Sequence, residues 1–251
     1  MALDNIESTG PTDPLRIAVI GAGNIGRTLG AKWAAVGHEV VYGVRSPGAP
    51  DTASVADAVA RAEVVALAIP GAAAKDVLAS LGQALAGKVV IDATNDVQGT
   101  GKLHALDELA DGAHPARAFN TLGWENFADP VIDGVTADLF YAAEEGRAKE
   151  VAHRLIADVG LRPVWLGGVE AFDLVDSLTR LWFTLAFQRK LGRRLAFKML
   201  TGRCPLSVHS IPVGASGGPA AVAGSRWRAN GPAFSYGCRC RFRQKPRVKR
   251  A

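Results

Sequence analysis

Leu15-Arg16-Ile17-Ala18-Val19-Ile20-Gly21-Ala22-Gly23-Asn24-Ile25-Gly26 is the stretch that decides the fold. An apolar run of strand length feeds straight into a Gly-x-Gly-x-x-Gly turn, and a helical stretch follows. The first glycine permits the tight turn. The second lets a pyrophosphate approach the backbone, and the third lets the helix pack close to the strand. The start of the helix then offers unpaired N–H groups and a partial positive charge to phosphates. Beyond it, Glu39-Val40-Val41-Tyr42-Gly43-Val44 reads as a second strand, and Arg45 and Ser46 follow. Strand, fingerprint, helix and strand at these distances predict a nucleotide-binding βαβ unit.

The end of the second strand selects the nucleotide. A dinucleotide without a 2′-phosphate is met there by an Asp or Glu about 20 residues after the first glycine. Glu39 lies 18 positions after Gly21, but Val40, Val41 and Tyr42 follow it, so it opens the strand at the end away from the ligand. Arg45 lies 24 positions on, at the carboxyl end, where ligands bind in open α/β sheets. A guanidinium there can grip a phosphate through two parallel hydrogen bonds. Arg45 and Ser46 therefore predict NADP(H) as the bound nucleotide.

Further strands are predicted at Glu63–Ile69, Lys88–Asp92, Ala116–Asn120, Ala137–Tyr141 and Arg162–Leu166. Helices are predicted over Ser54–Ala60, Ala72–Leu85, Leu103–Leu109 and Arg147–Val159. This alternation implies a Rossmann-like, doubly wound, mainly parallel sheet. From Val169 it stops. Leu174, Val175, Leu178, Leu181, Trp182 and Leu185 recur at helical spacing, and Leu195, Ala196 and Met199 continue the pattern after Gly192. Such C-terminal helices cap a cofactor cleft, form a dimer interface or simply pack on the sheet; a homodimer is the expectation. The organisation is thus a disordered leader (1–14), an NADP-binding domain (15–168), a helical segment (169–202) and a basic tail (203–251).

Charge divides the chain sharply. Of 29 Lys and Arg, ten lie beyond residue 202, where Asp and Glu are absent, so a net charge of +5 conceals an acidic body. Cys204, Cys238 and Cys240 also fall in the tail. Its Gly, Pro, Ser and Arg content cannot bury enough apolar surface to order it. Nucleic-acid binding and a zinc site from Cys204, His209, Cys238 and Cys240 are the weaker readings, the latter because the spacing is poor. The stronger one is a disordered extension with no function, of the kind a shifted reading frame produces. The leader carries no apolar core of a secretory signal, and no stretch of about 18 apolar residues lacks charge, so a membrane span is not expected. A cytoplasmic protein is expected.

Hydride transfer needs the nicotinamide held against its acceptor in a dry cleft, so positioning groups at strand ends matter more than acids or bases. Pro70 and Gly71, Thr94 and Asn95, and Asn120 and Thr121 occupy those ends. Pro70 is expected along the nicotinamide ribose, and Asn95 and Asn120 at the carboxamide or the acceptor. None of His38, His104, His114, His153 or His209 lies at a strand carboxyl end with an evident partner, so none is assigned acid–base work. No metal-ligand spacing occurs in the body.

Residues Ile17–Gly26, Gly37-His38-Glu39-Val40-Val41 and Gly43-Val44-Arg45-Ser46 together resemble the deazaflavin-coenzyme-dependent NADP oxidoreductases and the bacterial dinucleotide-binding reductases around them. Asp92-Ala93-Thr94-Asn95, Ala118–Asn126 and Leu181-Trp182 through Lys198 extend the likeness over roughly residues 15–200. The resemblance implies that Gly21, Gly23, Asn24, Ile25, Gly26, Arg45 and Ser46 hold NADP(H), with a deazaflavin coenzyme as co-substrate. Val44 stands where the deazaflavin enzymes commonly place a phosphate-binding Ser, which lowers affinity or passes the role to Ser46. Pyrroline carboxylate reductases and membrane metalloreductases share the fold, so the acceptor stays open. It is a deazaflavin first, and otherwise a flavin, a ferric complex or an imine; a non-catalytic NADP(H)-binding regulator is a further alternative.

Overall fold

The computed structural model describes residues 13–97 and 101–202, all within one compact unit. The leader up to residue 12 and the tail, with its cysteines and His209, lie outside the described residues. β1 (Arg16–Ile20), β2 (Glu39–Val44), β3 (Thr52–Ser54), β4 (Val64–Leu67), β5 (Val89–Asp92) and β6 (His114–Arg117) form a parallel sheet in the order β3-β2-β1-β4-β5-β6. That order is the doubly wound one, with its switch point between β1 and β4. β9 (Asp138–Ala143) joins β6 antiparallel, and β10 (Arg162–Trp165) extends the edge parallel to β9. β7 (Val131–Ile132) and β8 (Val135–Thr136) make a separate short hairpin.

Strand alternation sends side chains to both faces. On one, Ile17 and Val19 pack with Leu29 and Trp33 of α1 (Asn24–Ala35) and Leu155 and Ile156 of α5 (Arg147–Val159). On the other, Ala18 and Ile20 meet Ala58 and Val59 of α2 (Val55–Arg61) and Ala74 and Leu78 of α3 (Gly71–Leu81). α4 (Trp124–Ala128) is a single short helix after β6. α6 (Phe172–Phe183) buries Phe172, Val175, Asp176, Thr179 and Trp182, then widens into a π-turn over Thr184–Gln188. No helix among the described residues is long and apolar enough to cross a membrane.

Three expectations are corrected. Leu103–Leu109 is not a helix but one 3₁₀ turn, Leu106–Glu108. Its backbone N–H groups are captured by side chains instead of by carbonyls four residues back: Leu103 donates to Asp176, Ala105 to Asp92 and Leu106 to His104 Nδ1. The fifth strand ends at Arg117, because Phe119 adopts a left-handed backbone (φ 62°) that turns the chain. Leu195–Met199 does not continue the helical pattern. Lys190 and Gly192 have positive φ, and beyond them the buried Asp138 carboxylate takes Lys198 Nζ, the Met199 N–H and Arg162, while Phe197 bridges the Asp138 backbone. The C-terminal segment is therefore helical only to Gln188.

Candidate functional site

A cleft runs across the carboxyl ends of β2, β1, β4 and β5. Its outer part, about 560 Å³, is lined by Gly21, Gly23, Val44, Arg45, Ser46 and Pro70, among others. Its inner part, about 480 Å³, reaches Asn24, Ile25, Gly71, Thr94, Asn95 and Asn120. The two share Gly23, Ala68, Ile69 and Pro70, so they form one groove straddling the switch point.

The fingerprint glycines divide their work as their surroundings require. Gly21 has φ 103°, and a Cβ there would lie 2.5 Å from the Ala68 carbonyl oxygen. A Cβ on Gly26 would lie 2.1 Å from the Gly21 oxygen, so this glycine lets α1 pack on β1; it is buried and does not line the cleft. A Cβ on Gly23 would meet nothing, which leaves its backbone open to a ligand. α1 has no side-chain cap and no acidic residue in its first turn. Its first backbone bond is Arg27 N–H to the Gly23 carbonyl, so the preceding N–H groups remain for an anion.

Arg45 and Ser46 stand exposed at the outer cavity, and among the described residues nothing hydrogen-bonds or ion-pairs with Arg45. Arg27 makes the contrast. Its guanidinium bonds Asp51 at 2.5 Å and lies 4.1 Å from the Tyr42 ring centroid, and the Asp51 bond raises its pKa. Glu39 pairs in register with Arg16, four residues before Gly43 and Ile20, hence on the order of 13 Å from the carboxyl end of the strand.

Beneath the inner cavity lies a buried polar network centred on Arg117, whose side chain is 0% exposed. Nε and Nη2 each reach Asp176 Oδ1 at 2.9 Å. Nη1 donates to the carbonyls of Asp92 (3.0 Å) and Thr94 (2.6 Å), and Nη2 to Asn95 Oδ1 (3.1 Å). Asn95 Nδ2 donates to the Asn120 carbonyl, and Asn120 Nδ2 to Thr179 Oγ1 on α6. The Asn95 amide, expected to face a ligand, is thus engaged at both ends within the protein. His104, Asp173 and Asp176 also converge, with ligand atoms within 4.8 Å of one another, but Asp176 already has Arg117 as its cation. Burial, only partly opposed by Asp176, holds His104 below the ordinary histidine range.

Every residue expected in the site lines the groove except Gly26 and Thr121. The inner wall adds Trp124 of α4, Trp182 and Phe183 of α6, and Arg193. Arg193 is held by both oxygens of Glu125 at 2.5 and 3.1 Å. Although burial raises the Glu125 pKa, Arg193 and a backbone hydrogen bond bring it below the usual carboxylate range. The helical spacing around Trp182 reads equally well as packing, and nothing local in the sequence brings Arg193 to the strand ends. Among the described residues, no His, Asp or Glu lines either cavity. The histidines do have partners, contrary to expectation: His38 with Asp158 (2.9 Å), His114 with Glu144 (2.9 Å) and His153 with the Tyr141 hydroxyl (3.2 Å).

Comparison with known proteins agrees with this geometry. Residues 16–96 match the family described as NADP oxidoreductase, coenzyme F420-dependent. An F420-dependent NADP reductase of Methanothermobacter thermautotrophicus is 28% identical over 213 residues, which span 70% of this chain and 91% of that protein. A crystal structure from Arthrobacter sp. FB24, assigned as an F420-dependent NADP-reductase, superposes with a TM-score of 0.65 at 26% identity, covering 74% of this chain and all of that one. A pyrroline-5-carboxylate reductase of Coxiella burnetii shares the fold at 18% identity and a TM-score of 0.50, with 70% of this chain and 69% of that one covered. With its nucleotide fingerprint inside the matched segment, the chain is similar to the coenzyme F420-dependent NADP oxidoreductases.

Proposed function

We propose that the protein transfers a hydride between NADP(H) and a deazaflavin coenzyme of the F420 type. The observation that carries this is Arg45, whose side chain has no partner among the described residues, at the mouth of a dinucleotide groove in a chain similar to F420-dependent NADP reductases. Gly21, Gly23 and the first N–H groups of α1, from Asn24 and Ile25 onward, receive the pyrophosphate. Arg45 and Ser46 receive the 2′-phosphate. Pro70, Asn95 and Asn120 border the nicotinamide end, and Gly26 serves by packing. A bound dihydronicotinamide would supply the hydride and solvent the proton that completes reduction of the deazaflavin, so the hydride step itself would ask no acid or base of the protein. An inner cavity with no His, Asp or Glu among the described residues suits such a reaction, in which positioning and exclusion of water supply the rate.

Stopped-flow mixing of NADPH with deazaflavin, flavin, ferric and imine acceptors tests the assignment. Fast bleaching of the oxidised deazaflavin is expected, with the other acceptors slower by orders of magnitude. Preferred reduction of a flavin, ferric complex or imine would reassign the enzyme, and tight NADPH binding without turnover of any acceptor would make the protein a regulator.

The protein works as a homodimer in the cytoplasm, beside the NADP(H) pool. Leu174 and Leu181, 56% and 47% exposed, lie seven residues apart on the face of α6 turned away from the sheet, followed by exposed Phe187 and Leu191. Apolar exposure of this kind marks an interface. Sedimentation velocity should give a dimer that Leu181→Glu dissociates; a monomeric parent protein refutes it.

A further inference from the structure

The Asn120 amide is oriented by Thr179 of α6. Thr179 Oγ1 lies 2.7 Å from Asn120 Nδ2 and 3.1 Å from the Val175 carbonyl oxygen. A hydroxyl carries one hydrogen, and a carbonyl oxygen can only accept. In the structure the hydroxyl hydrogen goes to Val175 and Oγ1 accepts from Asn120, so the amide nitrogen stands on the Thr179 side. Asn120 Oδ1 is then left buried without a partner, on a residue that is 1% exposed and lines the inner cavity. Thr94 Oγ1 is a second buried, unpartnered atom on a residue of the same wall. Native proteins pair nearly all buried polar groups, so an orphan acceptor and an orphan hydroxyl at one cavity need an explanation. Together they offer an acceptor and a donor, the complement of an amide. Asn95 is less suited to this, because Arg117 and the Asn120 carbonyl already hold both ends of its side chain.

Building on the nucleotide assignment above, we infer that Thr179 is a positioning residue: it holds the Asn120 amide with its oxygen toward the inner cavity, where that oxygen accepts an N–H from the amide of a bound coenzyme while the Thr94 hydroxyl donates to the amide carbonyl. Two coenzyme groups have this chemistry, the nicotinamide carboxamide and the imide of the deazaflavin ring. α6, a helix outside the nucleotide-binding core motif, thereby takes part in recognition. Isolated packing of α6 on the sheet would have no such consequence.

The test is equilibrium titration of tryptophan fluorescence with NADP+ and with its 3-acetylpyridine analogue, which keeps the carbonyl but has no N–H. If the carboxamide is the partner, the parent protein prefers NADP+ by about tenfold, the scale expected when a buried acceptor is left unpaired. Thr179→Val then brings the ratio toward one, and Thr179→Ser keeps it. If the deazaflavin imide is the partner, the ratio is near one throughout and Thr179→Val instead raises the KM for deazaflavin several-fold. A valine variant with both the parental ratio and the parental deazaflavin KM overturns the inference, as does one that weakens NADP+ and the analogue equally with no change toward deazaflavin. Should that variant not fold, the parent protein suffices. A ratio near one, together with undiminished turnover of a deazaflavin methylated at its imide nitrogen, overturns the inference without any substitution. Absence of NADP+ binding sinks the nucleotide assignment and this inference together, whereas binding with neither dependence sinks only the role of Thr179 and Asn120.

Discussion

Arg45→Ala is expected to weaken NADPH binding by about ten- to a hundredfold while changing NADH affinity by less than about twofold, since hydrogen bonds to charged groups contribute about 1.5–3 kcal/mol. Arg45 has no competing partner among the described residues, so its guanidinium enters the complex without breaking an existing ion pair. The fork can meet two phosphate oxygens at once, whereas NADH offers it only a ribose hydroxyl. Arg27 is the control. It is tied to Asp51 and stacked on Tyr42 and lines neither cavity, so Arg27→Ala should change NADPH and NADH affinity in parallel. Because Arg45 is exposed, the effect should shrink as salt rises. Titrations at two ionic strengths measure all of this, and equal losses for the two nucleotides would remove Arg45 from the 2′-phosphate.

What could be read in the sequence was what short-range sterics decide. The turn at Gly21 follows from a positive φ and a clash with Ala68 that any side chain would meet, and the strand it follows is apolar and buried from Ile17 to Ile20. α5 occupies the predicted residues because an amphipathic run lies between Gly146 and Gly160, both of positive φ. Arg45 was legible because it immediately follows a strand whose direction the fingerprint had already set. The failures share a different cause. Leu103–Leu109 has helical composition, yet Asp92 and Asp176 take its N–H groups from 13 and 73 positions away. Leu195–Met199 is held extended by Asp138, about 60 positions upstream. The histidines looked unpartnered because a partner such as Asp158 for His38 lies 120 residues distant. Likewise the strand-end rule located Asn95 and Asn120, but their orientation is set by Arg117 and Thr179 from β6 and α6, which no local pattern reveals.

That dependence gives the largest expected effect on stability. Arg117→Met should destabilise the fold by about 3–5 kcal/mol, the usual cost of removing one partner from a buried ion pair. Methionine fills much of the same volume, so the loss comes from charge and hydrogen bonding. Asp92 is 0% exposed and Asp176 3%, and without the guanidinium both carboxylates would stay buried with no cation to oppose them. Backbone N–H groups of Thr94 and Ala105 hold Asp92, and that of Leu103 holds Asp176, so neither acid can easily turn away to water. Three carbonyl-type oxygens, on Asp92, Thr94 and Asn95, lose a donor at the same time. Arg117→Lys keeps the charge but not the fork, and should recover only part of the loss. Adding Asp176→Leu to Arg117→Met should recover more, because an apolar replacement for a buried pair is often neutral or better. Urea unfolding at neutral pH measures each step, and a loss under about 1 kcal/mol for Arg117→Met, the range of an exposed pair, would refute the central place of this guanidinium. The same variants should also bind NADPH more weakly than their stability predicts, since Arg117 fixes Asn95, and Asn95 in turn holds the backbone of Asn120 at the cavity wall.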